Sequence, residues 1–318
     1  MRYFVGAYAT SPNAFGWDPE LETRYYQQLK SIPSIKGLEH PFTGTLHPND
    51  DDWFLANIDS NWQYVFTCVP GNMGALSKNP HFGIASDDDA GRAQALAFMQ
   101  KARDAIAKLN GHLGRQAVKA IEIQTAPNRS NASGSKAALN ASLQTMLQWD
   151  WQGAQLVIEH CDTLVDGQKP AKGFLTLEDE IAVLTEINGQ TETPIGMVMN
   201  WGRSVIETRS IEGAIEHTQL IKQAGLLSGL MFSGVSDQDT EYGAWSDSHM
   251  PPAPSASVQF GAEHSLMTEQ QIQRSLAAGD GNNLDIMGIK LGIRPKDTSL
   301  EDRIGYIRDA LGILDRSL

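Results

Sequence analysis

The stretch Tyr3-Phe4-Val5-Gly6-Ala7-Tyr8, followed by Ala9-Thr10-Ser11-Pro12-Asn13, decides the fold. Its first half is an aromatic and β-branched run that reads as a strand. A doubly wound nucleotide-binding sheet would turn through GxGxxG directly after its first strand, so that backbone amides reach a pyrophosphate. The turn here has no such glycines, and neither a P-loop nor a GxSxG elbow occurs further along. Working outward, β-rich segments recur at Gly37 to His40, Tyr64 to Val69, Ala120 to Thr125, Gln155 to His160, Gly196 to Asn200, Gly229 to Ser233 and Met287 to Ile293. Amphipathic helical patterns lie at Gly91 to Asn110, Ser135 to Trp149, Leu177 to Ile187, Ile211 to Ala224 and Ser299 to Leu318. The expected fold is therefore α/β, a single (β/α)8 TIM barrel domain spanning residues 1–318, with long loops at about 69–91 and 234–268. Loops of that size usually cover a site.

Composition narrows the function. The chain carries 25 Lys plus Arg against 38 Asp plus Glu, a formal charge of -13. That balance sets nucleic acid aside, because gripping a phosphate backbone depends on Lys and Arg releasing counterions. No apolar run approaches the ~18 residues of a membrane span. The N-terminal run is too short for a signal-peptide core, and Cys68 and Cys161 form neither a disulfide framework nor a metal spacing. The expectation is a bacterial-type cytoplasmic protein; the sequence does not set its oligomeric state.

Barrel chemistry comes from polar residues at the C-terminal strand ends. Those ends are Tyr8, Glu39-His40, Cys68, Glu122 with Gln124, Glu159, Asn200, Ser233 and Lys290. Glu159 follows Leu156-Val157-Ile158, where a carboxylate is costly to bury without a charged partner or a metal. His160 should face the opposite side by strand alternation, packing against a helix or steadying Asp162. Lys290 interrupts an apolar run as a Schiff-base nucleophile, an anion clamp or the counter-ion of a buried Glu. Asn200 and Arg203 suit ligand hydroxyls and carboxylates, or a turn bent at Gly202. The second long loop holds Tyr242, Trp245, Asp247 and His249, which suit a sugar-sized ligand, and Glu159, Asp247 and His249 offer oxygen and nitrogen ligands to a divalent metal. A surface loop is the plainer reading of that segment.

Taken together, Gly37-Leu38-Glu39, Leu156-Val157-Ile158-Glu159, Asn200-Trp201-Gly202-Arg203 and Gly288-Ile289-Lys290-Leu291 resemble the xylose isomerase-like TIM barrels, sugar isomerases and epimerases that include endonuclease IV. More narrowly, His81-Phe82-Gly83-Ile84-Ala85-Ser86 with Asp89 and Arg92 resembles a bacterial subgroup of such barrels without an assigned function. The resemblance implies one divalent metal held by Glu, Asp, His and Glu on the fifth to eighth strands, with the two Glu exchanging a proton. Here those positions read Glu159, Asn200, Ser233 and Lys290, so three of the four depart from the pattern. The standard metal site is therefore expected to be absent, metal binding through Asp247 and His249 stays open, and no other cofactor is implied.

The leading expectation is a sugar or sugar-acid isomerase/epimerase-like enzyme working by proton transfer. Glu159 would be the base and Lys290 the acid or electrophile. Asn200, Arg203, Trp245, Asp247, His249 and Glu39 would bind a small carbohydrate-like ligand in a locally cationic mouth. The alternatives are a catalytically degenerate barrel that binds carbohydrate and a Lys290 Schiff-base lyase.

Overall fold

The computed structural model describes residues 2–318. Strands β1 (Tyr3–Val5), β2 (Ile35–Pro41), β3 (Gln63–Thr67), β4 (Val118–Ile123), β5 (Gln155–Glu159), β6 (Gly196–Asn200), β7 (Leu227–Phe232) and β8 (Ile286–Ile289) pair in parallel, in sequence order, and close β8 onto β1. Helices α1 (Ala7–Thr10), α2 (Pro19–Lys30), α3 (Asp51–Asn57), α4 (Val69–Leu76), α5 (Asp89–Leu113), α6 (Lys136–Leu147), α7 (Leu177–Asn188), α8 (Trp201–Thr208), α9 (Ile211–Gln223), α10 (Glu269–Gly279) and α11 (Leu300–Ser317) connect the strands. The chain is thus the expected (β/α)8 barrel. None of the described helices is long and apolar enough to cross a membrane.

Helix starts follow from capping. Asp18 accepts hydrogen bonds from the Glu20 and Leu21 amides ahead of α2, with Pro19 at its first position. Ser299 accepts from the Asp302 amide ahead of α11. Gly114 ends α5 at φ 64°, a left-handed position that glycine adopts without a Cβ penalty.

Two details differ from the sequence reading. Tyr8 was expected at a strand end but lies in the short helix α1, because β1 stops at Val5. The loop expected from about 69 to 91 is partly helix: α4 starts directly after β3, and Asn72 on it donates to Gln124 Oε1 at 3.1 Å. The segment 234–268 does lack helix and strand, and is held by backbone bonds between Gly234 and Met250 and from Leu266 to Val235.

Side-chain alternation fills the barrel in layers. Phe4, Val65, Ala120, Val157, Val198, Met231 and Ile286 form one buried apolar cluster. Two residues further along these strands come Gly6, Thr67, Glu122, Glu159, Asn200, Ser233 and Gly288. Lys290 is two beyond Gly288, and Glu39 lies two beyond Gly37 on β2. A polar layer thus caps an apolar one at the C-terminal end of the barrel.

Candidate active site

Lys290 is the hub of that layer. Its Nζ lies 2.6 Å from Glu39 Oε1 and 3.3 Å from Glu159 Oε1. All three side chains are fully buried. Gly6 makes room for the pair, since a Cβ there would sit 2.9 Å from Glu39 Oε2 and 3.1 Å from Lys290 Cγ. Glu159 is saturated: Arg203 Nη1 lies 2.7 Å from its Oε2, Gln124 Nε2 donates to Oε2 at 3.0 Å, and Asn200 Nδ2 donates to Oε1 at 3.2 Å. Asn200 also caps α8 by accepting from the Arg203 amide, and takes a 2.9 Å hydrogen bond from Ser233 Oγ. The turn expected around Gly202 is therefore the first turn of a helix that aims Arg203 inward. Gly202 is needed for a close approach, because a Cβ would lie 2.5 Å from the Ser233 carbonyl oxygen.

Arg203 continues the chain of charges outward. Its Nε lies 3.2 Å from Asp247 Oδ2, which also pairs with Lys172 Nζ at 2.9 Å; Asp247 Oδ1 lies 3.2 Å from His249 Nδ1. The loop after β7 is in this way bolted onto the β5–β8 side of the mouth. Lys290, Arg203 and Lys172 face Glu39, Glu159 and Asp247, so the mouth is charge-balanced, not cationic as expected. Trp245 does not join the barrel centre; the Arg209 guanidinium lies over its ring at 4.8 Å, so that face is taken.

Protonation separates the carboxylates. Burial would raise Glu159, but Arg203 and Lys290 hold it down to about 2. Burial raises Glu39 above its ordinary value and Glu159 adds to the rise, with Lys290 opposing. Glu122, buried beside Glu159 and Glu39, is pushed well above the carboxylate range. Burial would lower Lys290, but Glu159 and Glu39 drive it well above its ordinary value, so it is a firm ammonium. These environments run against two expectations. A carboxylate held near 2 is a weak base, which disfavours Glu159 in that role. A Schiff-base lysine must lose its proton, which disfavours the lyase.

A shallow space of about 450 Å³ opens beside Lys172, Arg209, Trp245 and Asp247, and a more enclosed one lies on the other side of the mouth. A cavity of about 250 Å³ is lined by Tyr8, Asn13, Trp17, Glu39, His47 and Asn49, among others. Tyr8 Oη and Asn13 Nδ2 are buried and make no hydrogen bond, whereas Glu39 is held by Lys290 and by the neighbouring Glu122 carboxyl. Burial pushes the Tyr8 hydroxyl well up, so it stays a donor. Sequence reasoning singled out Glu39 and Tyr8 but missed Trp17 and His47. An aromatic beside Gly16 in the connection after β1 was the available signal.

The metal implied by the family resemblance does not fit these residues. Cationic nitrogens of Arg203 and Lys290 lie within 2.7–3.3 Å of both Glu159 oxygens, where a cation would have to sit. Asp247 and His249 touch, but Arg203 stands between Asp247 and Glu159 and contacts both. Among the described residues, the groups with three ligand atoms within 4.8 Å of one another are Glu39–Glu122–Glu159 and, outside the barrel, His160–Glu207–His217.

The fold is that of the xylose isomerase-like TIM barrels. A xylose isomerase domain-containing protein from Salmonella typhimurium superposes with a TM-score of 0.56 at 11% identity, covering 98% of this chain and 97% of that one. A putative xylose isomerase from Rhodospirillum rubrum gives 0.60 at 11%, covering 99% of each chain. D-psicose 3-epimerase, in a structure obtained in the presence of D-fructose, gives 0.56 at 14%, covering 100% of this chain and 98% of the other. Within that fold, the chain belongs to the family described as a domain of unknown function, DUF4862, whose model matches residues 4–306. An uncharacterized protein of Salmonella typhimurium is 35% identical over 317 residues, covering 99% of this chain and 97% of the relative.

Proposed function

We propose that the protein is a sugar or sugar-acid isomerase or epimerase-like enzyme that moves a proton beside a carbonyl without the metal that the family resemblance implies. The observation that carries this reading is Glu39: a buried carboxylate of raised pKa, paired with an ammonium, lining a cavity beside a buried hydroxyl without a partner. Neighbours of the same fold include D-psicose 3-epimerase, in a structure obtained in the presence of D-fructose, in keeping with a small carbohydrate ligand.

In this reading Glu39, not Glu159, takes the proton from the carbon next to the carbonyl and returns it to the former carbonyl carbon, while the hydroxyl proton passes to the carbonyl oxygen through Tyr8. The Tyr8 hydroxyl donates to the carbonyl oxygen as it gains charge. Lys290 keeps Glu39 ionised and places its positive charge behind the developing enediolate. Glu159, with Arg203 and Asn200, anchors Lys290. Trp17 offers a ring face to the apolar side of the sugar, and Asn13 binds a hydroxyl. A cytoplasmic setting agrees with the two buried, unpaired cysteines Cys68 and Cys161.

The test is incubation of the protein in D2O with a panel of aldoses, ketoses and sugar acids, followed by NMR. Deuterium entering next to the carbonyl of one member is expected. Tight binding of a member without exchange would favour the second reading, a carbohydrate-binding barrel, which the full pairing of Glu159, Arg203 and Lys290 also accommodates.

A further inference from the structure

Strand alternation turns His160 out of the barrel, as expected, but not toward Asp162. It enters a buried polar cluster between β5 and helices α7, α8 and α9. His160 Nδ1 contacts Glu180 Oε2 on α7 at 2.7 Å, and its Nε2 contacts Glu207 Oε2 on α8 at 3.1 Å. His217 on α9 points its Nε2 at Glu207 Oε1, 3.8 Å away, while its Nδ1 lies 3.0 Å from Ser204 Oγ. The imidazoles sit edge to face with centroids 5.3 Å apart. Nothing in the proposed proton transfer uses these residues.

We propose that His160, Glu207 and His217 form a binding site for a divalent transition metal, zinc above all, outside the barrel mouth. The residue types and the geometry both carry this. Two imidazoles and one carboxylate suit zinc. Ligands of a tetrahedral zinc stand roughly 3.3 Å apart, given bonds of ~2.0–2.1 Å. One ligand atom from each residue lies within 4.8 Å of the others, with His160 Nε2 3.1 Å from Glu207 Oε2 and His217 Nε2 3.8 Å from Glu207 Oε1, close enough for a small shift to close around an ion.

The surroundings add a second, independent observation. A histidine ligand almost always donates its other ring N–H to a carboxylate or another oxygen, which fixes the tautomer and aims the free nitrogen at the metal. Both imidazoles have that arrangement here: Glu180 holds His160 Nδ1, and Ser204 faces His217 Nδ1. Glu180 is itself oriented by a 2.6 Å hydrogen bond from Thr125 Oγ1, and the Thr163 amide donates to Glu207 Oε2 at 2.9 Å. Charge agrees as well. Glu180 and Glu207 bring two carboxylates against a His160 that is 0% exposed, and a divalent ion would help balance them. Side-chain exposures of 11% for Glu207 and 9% for His217 show that solvent reaches the edge of the cluster, as an entering ion requires.

The test uses the full chain, stripped with chelator and titrated with zinc sulfate. It is repeated with His217→Gln, Glu207→Gln and the barrel variant Glu39→Gln, and X-ray absorption is recorded on the zinc-loaded wild type. One zinc per chain is expected, with two imidazole scatterers in the absorption spectrum. Affinity should fall at least ~10-fold in each of the first two variants and stay unchanged in Glu39→Gln. Ser204→Ala should weaken binding while leaving metal-free melting near wild type. No binding tighter than a weak surface association would overturn the proposal. So would a zinc without two imidazoles, or one that survives both cluster variants. The absorption spectrum needs no variant, so a misfolded mutant does not block the decision.

Discussion

The two sides of the barrel mouth are built from similar residues and put to different use. On the β5–β8 side every charge has an ion-pair partner, in a chain from Lys290 through Glu159 and Arg203 to Asp247 and Lys172 under the loop after β7, although Arg203 Nη2 keeps no hydrogen bond. On the β1–β2 side, Tyr8 and Asn13 keep buried polar atoms without hydrogen bonds beside a cavity that Glu39 also lines. Saturation makes a rigid wall, whereas polar atoms left unpaired at a cost in stability are what a ligand repays.

That contrast can be broken by substitution. Lys290→Met removes the one cation both sides share and strands Glu39 and Glu159. A loss of ~3–5 kcal/mol of stability in urea denaturation is expected, as for other broken buried ion pairs, together with loss of any exchange activity. Asp247→Asn acts on the saturated side alone. It leaves Arg203 and Lys172 short of a carboxylate, for a smaller loss of ~1–3 kcal/mol, with the ligand affinity of the β1–β2 cavity retained. Trp17→Ala acts on the open side alone. It should weaken a bound sugar ~10-fold, the equivalent of ~1.4 kcal/mol, with little change in melting temperature. A Trp17→Ala protein that binds normally would move the ligand to the other side.

Acidity sharpens the same comparison. Glu159 is depressed to about 2 in the folded chain, so its stabilisation is present above its unfolded pKa and is lost as pH falls through about 2. Glu39 is shifted the other way, so activity that needs its carboxylate should fall at a pH above the ordinary carboxylate value. A pH–rate profile and an acid-unfolding curve should therefore separate, with activity lost first. Coincident transitions would mean that the two carboxylates share one environment.

Much of the barrel was legible because its interior obeys a period of two. The inward-facing register that buries Val157 also delivers Glu159, and the same count delivers Asn200, Ser233 and Lys290. The meeting of Glu39, Glu159, Asn200 and Lys290 follows from that count, whereas Arg203 joins them from helix α8. The sequence did not show how the charges divide. Glu159 looked like the reactive carboxylate because it ends an apolar strand, yet two cations claim it, and Glu39 is the one left facing space. Trp17, Asn13 and His47 were hidden because loop residues carry no periodicity. Helix α8 was hidden because Gly202 reads as a turn, although Asn200 caps a helix there. His160 was placed on the correct face, but its partners come from three helices that no local pattern ties together.

The central claim is that Glu39, on the open side, moves the proton. The most direct measurement compares solvent deuterium incorporation into the same substrate by wild type and by Glu39→Gln, with melting temperatures recorded alongside. The account predicts at least a ~100-fold slower exchange in the variant, with the fold and sugar binding retained. Exchange at the wild-type rate in a folded Glu39→Gln protein would contradict it.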